Sequence, residues 1–366
     1  MREIAVNRRA GRFAFVLVLA LVCLQAPLAI ALSALERPAV LLRAPARSFT
    51  QAAASAGQRL VAVGERGIVI LSDDRGSTWR QARAVPVSVT LTAVHFVDER
   101  QGWAVGHGGV ILHTQDGGES WALQADGRGL AKLAEEGAQR LLTSDPQNII
   151  ASRELKAAQL LVSDGPDKPL LDVFFRDAQH GWVVGAYNLF FETRDGGKTW
   201  ASAMTRLDNP KAFHLYAIRA HGSQVFVAGE QGQMHRSVDA GQTFLPLTSP
   251  YKGSWFTLSI EPAGGVLVAG LRGNAFYSAD QGATWQAIVG APPVSFVSSA
   301  LRADGSVVLG NQAGQLFTTR AGAPLSPLKT PAMPPLAGLL DLGPSGLLVT
   351  GAGGPIPVPV QAGTKP

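Results

Sequence analysis

The 366-residue chain holds one cysteine, four methionines and four tyrosines, and only 16% of it is charged. The lone Cys23 excludes an internal disulfide. The seven histidines (His95, His107, His113, His180, His214, His221 and His235) have no Cys partner and no His-x-x-x-His spacing, so no metal or other cofactor is expected. The Gly-rich strings lack the strand-to-helix context of a phosphate loop, and there is no G-x-S-x-G nucleophile elbow. Of the formal charge of +5, Arg2, Arg8, Arg9 and Arg12 against Glu3 supply three, which leaves +2 for the rest. That is too little for a surface that tracks phosphates, and nucleic acid is not an expected partner.

Charge is also missing from Phe13 to Leu32, FAFVLVLALVCLQAPLAIAL. A basic stretch precedes this run, and Pro27 interrupts it ahead of Ala29-Ile30-Ala31, a small-x-small cleavage pattern. Residues 1–31 therefore read as a signal peptide cut after Ala31, or as an uncut anchor of membrane-spanning length. Either reading exports the chain to the periplasm or the outer side of the cytoplasmic membrane. A lipid-modified Cys23 would want a small residue before it, and Val22 is not one.

The 41 glycines and 23 prolines are ordered rather than scattered. Five segments spell [Ser/Thr]-x-Asp-x-Gly-x-[Thr/Ser]-[Trp/Phe], starting at Ser72, Thr114, Thr193, Ser237 and Ser278, with intervals of 42, 79, 44 and 41 residues. One period of about forty residues, doubled once, signals a solenoid or propeller. In each copy the aspartate (Asp74, Asp116, Asp195, Asp239, Asp280) can accept from backbone N–H groups of a tight turn, and the glycine supplies a positive φ. The closing aromatic (Trp79, Trp121, Trp200, Phe244, Trp285) fills space between sheets. This spelling is that of the Asp-box, or bacterial neuraminidase repeat.

Around each turn recur an apolar strand, a short loop, a second strand ending on glycine (Gly-Trp-x-Val-Gly in two copies), a tight turn and a third strand; a fourth strand follows the Asp-box. Six such units run from Ser48 to Leu328, the sixth with Arg320 where the aspartate should be, and residues 336–360 suggest a seventh. The expected fold is an all-β propeller over 38–360 with four-stranded blades, seven by this count with six or eight left open, and with residues 38–46 supplying the outer strand of the last blade. Residues 361–366 form a tail. The doubled interval hides an insertion at 125–168, read as a helical hairpin of 129–142 and 146–162. Its Leu130, Leu133, Leu141, Ile150, Ala157 and Leu161 should face the propeller.

Strand order then assigns loops to faces. Asp-box turns share one face with the loops between first and second strands. The Gly-x-x-Gly turns and the blade-to-blade connectors, the insertion included, share the other. A partner-binding rim is expected on that second face, at Arg66, His107, Tyr187, Glu230, Arg272 and Asn311, because a rigid scaffold positions variable loops.

Sialidases share the Asp-box propeller but need an arginine cluster, a Tyr/Glu nucleophile pair and an acidic proton donor. Only Tyr187 falls in a rim turn, and Glu36-Arg37-Pro38 is a poor substitute for the arginine segment expected before the first blade. A sialidase-like glycosidase is thus the weaker alternative.

Over residues 48–328, and most closely at Gly102–Trp121 and Gly181–Trp200, the chain resembles the photosystem II stability and assembly factor propellers and their relatives in non-photosynthetic bacteria. The resemblance implies a monomeric, non-catalytic accessory that takes no small-molecule substrate and binds a membrane protein or membrane complex during assembly. In non-photosynthetic relatives it implies an accessory of an export pump of the resistance-nodulation-division type. It also implies an arginine-rich surface, for which Arg66, Arg176, Arg219, Arg272 and Arg302 are available. Strand order places only Arg66 and Arg272 on the rim.

Overall fold

A computed structural model describes residues 33–360, so the leader at 1–31 and the tail at 361–366 lie outside the described residues. Seven antiparallel sheets follow one another along the chain. Their first strands are Thr50–Ala56, Leu91–Phe96, Leu170–Phe175, Leu215–His221, Trp255–Ile260, Phe296–Leu301 and Leu336–Asp341. These pack side by side in cyclic order, the seventh against the first, so that the ring closes around an axis. The structure is the seven-bladed propeller expected from the repeat.

The second strands are buried along all of their length, as in Gly102–Gly106 and Gly181–Gly185, or all but a half-buried first residue, as at Arg59 and Gln224, because neighbouring blades cover both of their faces. Trp103 and Trp182 on these strands are fully buried. Trp103 bridges blades 2 and 3 by stacking on Phe175, with ring centroids 3.5 Å apart and planes at 6°. In six blades the second strand ends on glycine where it meets the start of the first strand. A β-carbon at Gly106 would lie 2.2 Å from the carbonyl oxygen of Thr90.

The five Asp-boxes repeat one hydrogen-bond set. In blade 3 the Thr193 hydroxyl donates to Asp195 Oδ1 at 2.9 Å, the Thr199 amide donates to the same oxygen at 2.9 Å and the Thr199 hydroxyl donates to Oδ2 at 2.6 Å. The Gly197 amide returns a bond to Thr193 Oγ1 at 2.8 Å. Two successive left-handed residues follow each aspartate, such as Ala240 at φ 58° and Gly241 at φ 84°. The second sits against the preceding blade: a β-carbon at Gly241 would lie 2.9 Å from Trp182 Nε1, and one at Gly118 would lie 3.1 Å from Leu71 of blade 1. The closing aromatics Trp121, Trp200 and Phe244 are buried, and Phe244 meets Phe190 of blade 3 edge to face at 5.4 Å. In blade 6, Thr319 holds the ladder position of Ser278, since both pair with the first residue of the second strand (Val307 and Val266). Its turn is one residue shorter, with Ala321 and Gly322 left-handed and the Thr319 hydroxyl donating to the Ala323 carbonyl at 2.6 Å.

Two expectations are corrected. Residues 38–46 do not add a fourth strand to blade 7, which is three-stranded among the described residues. They cross blade 1 instead: the Ala39 amide donates to the Val85 carbonyl at 3.0 Å, and Leu42 N and Val40 O bond the Gln81 side chain. The reason is at the blade 7 edge. Ile356 pairs with Val349 and Val358 with Leu347, while Pro357, opposite Leu348, has no amide hydrogen to give. The groups of Ile356 and Val358 thus face the sheet, and the outward positions fall on Pro355, Pro357 and Pro359. An edge without outward N–H groups cannot accept a further strand.

The second correction concerns the insertion. Its helices are α1, Gly127–Ser144, and α2, Ile149–Asp164. The Asp126 side chain caps α1 by accepting from the Arg128 and Gly129 amides, and Asn148 caps α2 by accepting from Ala151 N. The second helix therefore begins three residues later than read from Pro146. The buried faces are Leu130, Ala131, Ala134 and Ala138 on α1 and Ala151, Glu154, Ala158 and Leu161 on α2. Leu141, expected inside, is 39% exposed near the hairpin tip.

Two predictions follow from the turns. Trp200→Ala should cost about 3–5 kcal/mol through the cavity it opens, and Asp195→Ala about 1–2 kcal/mol through the donors it strands; denaturant unfolding of both variants checks the ranking. Acid should weaken the same turns. Hydrogen bonds from Thr78 and Ser72 hold Asp74 at a pKa of about 2, and those from Thr284 and Ser278 hold Asp280 at about 2, both below the ordinary 3.8. A depressed carboxylate contributes stability above its unfolded pKa and loses it as pH falls through the folded one. The melting temperature should drop between pH 4 and pH 2, and less steeply in Asp74→Asn and Asp280→Asn.

Candidate functional site

The Gly-x-x-Gly turns and the insertion share one face because both follow strands that run toward it. Five of these turns are single helical turns with two successive left-handed residues, such as Arg66 at φ 55° and Gly67 at φ 71°, Tyr187 at φ 54° and Asn188 at φ 65°, and Arg272 at φ 58° and Gly273 at φ 74°. The left-handed position turns these side chains out of the sheet. Arg66, His107, Tyr187 and Arg272 are exposed, and Glu230 is half-buried.

Asn311 is not on this surface. It stands at the strand-ending position that glycine holds in the other blades, opposite Phe296, and is fully buried. Its Oδ1 accepts from the Ala313 and Gln315 amides at 3.0 Å each, so it closes its own turn. The sequence reading had aligned blade 6 one or two residues short of the exposed position.

Between blades 3 and 5 the rim is aromatic and polar. Lys168 Nζ lies 5.3 Å from the centre of the Tyr187 ring, and that ring meets His214 at 4.9 Å. His214 Nδ1 accepts from the Tyr187 amide at 3.2 Å, while the His214 amide donates to Glu230 Oε2 at 3.1 Å. Tyr216 continues the chain of rings to Phe256 at 5.2 Å; burial, followed by the charge of Glu230, pushes its hydroxyl pKa up. Tyr216 and Phe256 line the mouth of an axial cavity of about 210 Å³ built from the first strands of all seven blades. Lys168, His214, Tyr216 and Phe256 were missed in the sequence. They precede or open first strands.

The insertion is fastened to this rim by buried polar groups. Asn188 Nδ2 donates to Glu154 Oε2 of α2 and to the Met204 carbonyl, both at 3.4 Å, and Asn188 Oδ1 accepts from Asn209 Nδ2 at 3.0 Å. Asn209 Oδ1 in turn accepts from Gln233 at 3.1 Å. Burial raises the Glu154 pKa, against the bonds from Arg153 and Asn188. Glu154 had a sequence signal, since it lies four residues after Ile150 and seven before Leu161 on the helical face read as buried.

The five arginines do not form one patch. Arg219 is spent on Asp172, inside the axial cavity. Arg176 pairs with Asp177 and Arg302 with Asp341, each at 3.4 Å, on or below the Asp-box face. Arg66 and Arg272 alone stand on the rim. No group of three His, Cys, Asp or Glu residues able to hold a metal occurs among the described residues.

Closed blades, repeated Asp-box turns and a helical hairpin on the opposite rim define a seven-bladed Asp-box propeller. The chain belongs to the family described as "Photosynthesis system II assembly factor YCF48", whose profile matches residues 71–141 and 151–323. The unmatched gap falls on the tip of the insertion. A photosystem II assembly lipoprotein Ycf48 of Synechococcus sp. (strain CC9902) is 36% identical over 77 residues, 21% of this chain and 23% of the relative. Its namesake in Picosynechococcus sp. (strain ATCC 27264 / PCC 7002 / PR-6) is 53% identical over 38 residues, 10% of this chain and 11% of the relative. The chain thus spans less than a quarter of the length of these curated relatives. Among solved structures, "YCF48 bound to D1 peptide" superposes with a TM-score of 0.61 at 16% identity, covering 89% of this chain and 97% of that one. The WD40 propeller of Doa1 gives 0.60 at 10% identity, covering 90% and 97%, and the Niastella koreensis GH74 enzyme 0.58 at 12% identity, covering 84% and 52%. These likenesses show the fold alone, and they include an enzyme.

Asn188→Ala should take from Glu154 Oε2 its bond to the rim in a buried setting, at a cost of about 1–3 kcal/mol. The loss should appear as faster proteolysis and amide exchange in α1 and α2, with the Asp-box turns unaffected.

Proposed function

We propose that this protein is an exported, non-catalytic accessory factor that holds a segment of a membrane protein against its insertion-side rim while a membrane complex is assembled. The family match over residues 71–323 carries the reading. The names of the relatives support it: they are photosystem II assembly lipoproteins, and one structure of the same fold is of a propeller with a D1 peptide. The partner for this chain is accordingly a polypeptide segment of a membrane-embedded subunit, and the uncharged run at Phe13–Leu32 supports export. No helix among the described residues is long and apolar enough to cross a membrane.

The rim suits such a ligand. It offers rings at Tyr187, His214, Tyr216 and Phe256, cations at Arg66 and Arg272, and one acceptor at Glu230, a mixture that recognises an extended peptide by stacking and charge rather than by burying a small molecule. The Asp-box aspartates are fully engaged in their own turns, which favours a structural role for that face. A non-enzymatic role is also favoured by Tyr187, whose ring is committed to His214 and Lys168.

Photo-crosslinkers placed at Arg66, Tyr187 and Arg272 should trap an integral membrane protein in intact cells, whereas crosslinkers at Lys198 and Gln242 on the Asp-box face should not. Tyr187→Ala together with Arg272→Glu should reduce recovery of that protein from solubilised membranes at least tenfold without changing the melting temperature. Recovery of the propeller alone, from wild type as from variant, would refute the reading.

A further inference from the structure

The propeller begins beside the base of the helical hairpin. Ser88 N donates to the Ala34 carbonyl at 2.8 Å, Leu35 packs over Gly108 of the blade 2 rim turn, and Arg128 in the first turn of α1 pairs with Glu36 at 3.3 Å. Residues 38–42 then run along the outer part of blade 1 on the same face, bonded to Val85 and Gln81. In the sequence, the twenty uncharged and mostly apolar residues Phe13–Leu32 come directly before this point. A segment of bilayer-spanning length is therefore joined to the propeller at the insertion side, between blades 1 and 3.

Large apolar side chains stay exposed around that junction. Val40 is 63% exposed and Leu41 74%. On α2, Ile149 is 82% exposed and Leu160 63%. These two stand eleven residues apart, three turns of helix, and so share a side. That side is opposite Ala151, Glu154, Ala158 and Leu161, which face the propeller, and it points away from the rim. Lys156 lies between them on the same line and is exposed. Apolar side chains interleaved with a lysine suit the depth of lipid headgroups, where long cations reach back to water. Exposed apolar patches of this kind mark contact surfaces, and the tether says which surface is within reach.

We propose that the blade 1 to blade 3 sector of the insertion side rests on a lipid bilayer, through Val40 and Leu41 and the outward side of α2, with the chain before Ala34 as its tether. The proposal shares with the preceding function only the export of the chain. The rim turns themselves, from Arg66 and Tyr187 round to Arg272, are then left open to a polypeptide emerging from the membrane nearby.

The test uses the full chain with Cys23→Ser, reconstituted in vesicles of phosphatidylglycerol and phosphatidylcholine without any partner protein. Single nitroxide labels are placed through Leu41→Cys, Ile149→Cys and Leu160→Cys, and, as controls, through Val238→Cys and Leu245→Cys on blade 4, which are as exposed at 55% and 70%. Labels at 41, 149 and 160 should show a severalfold higher ratio of oxygen to nickel-chelate accessibility than those at 238 and 245. Equal ratios at all five sites, a preference for lipid at the controls, or recovery of the protein free of the vesicles would overturn the proposal. Crosslinking to a membrane protein is read separately, so either conclusion can fail while the other stands.

Discussion

The second left-handed residue of each Asp-box turn is pressed against the blade before it, and the ring depends on that seat. Gly118 rests on Leu71 and Val61 of blade 1, Gly241 on Trp182 of blade 3, and Gly322 of the shortened blade 6 turn on Tyr277 of blade 5. Blade 7 has no such turn but receives one: Gly76 of blade 1 approaches Pro357 and Leu348, and Arg75 beside it donates to Ser345. A hydrogen-bonded aspartate fixes the turn, the turn presents glycine, and glycine allows sheet-to-sheet contact that a β-carbon would block. Closure thus needs no strand exchanged between the ends of the chain. The proline-lined outer edge of blade 7 is consistent with this, since a fourth strand there would have neither donors to meet nor a structural task.

One face is in this way consumed by construction. Its aspartates are saturated and its glycines covered. The opposite face is built from turns with two left-handed residues, and while the second is glycine or asparagine, the first is arginine, glycine, tyrosine or glutamine in different blades. Sequence freedom at the rim is what lets the chain carry the hairpin there, fastened through Glu154, Asn188 and Asn209 rather than through apolar contact alone. A buried carboxylate bonded to Asn188, which Asn209 holds in turn, fixes the direction of α2 more narrowly than packing of alanines would. This direction decides that Ile149 and Leu160 point outward.

What could be read from the sequence follows the same division. Turns, blades and the face that carries the insertion were legible because each depends on a local motif repeated in register. The fate of residues 38–46 was not, because it rests on which amides of a distant strand are missing, and prolines 355, 357 and 359 have that meaning only once Ile356 is paired with Val349. Asn311 was misread since asparagine can close a turn from a buried site as readily as it can face water. The start of α2 was set by a cap at Asn148, two residues past a proline that is itself a good helix opener. The ring of side chains from Lys168 to Phe256 is brought together from three blades, and no spacing along the chain announces it.

The interblade seat can be measured directly by comparing Gly241→Ala with Gly264→Ala in denaturant unfolding. Both glycines are left-handed, at φ 84° and 90°, but a β-carbon at Gly264 would meet only Gln281 Nε2 at 3.6 Å, whereas at Gly241 it would meet the Trp182 indole at 2.9 Å. Backbone strain is common to the two, so their difference isolates contact with the preceding blade. Gly241→Ala should be the more destabilising by about 1–3 kcal/mol; equal losses would contradict the claim that these turns hold the blades together.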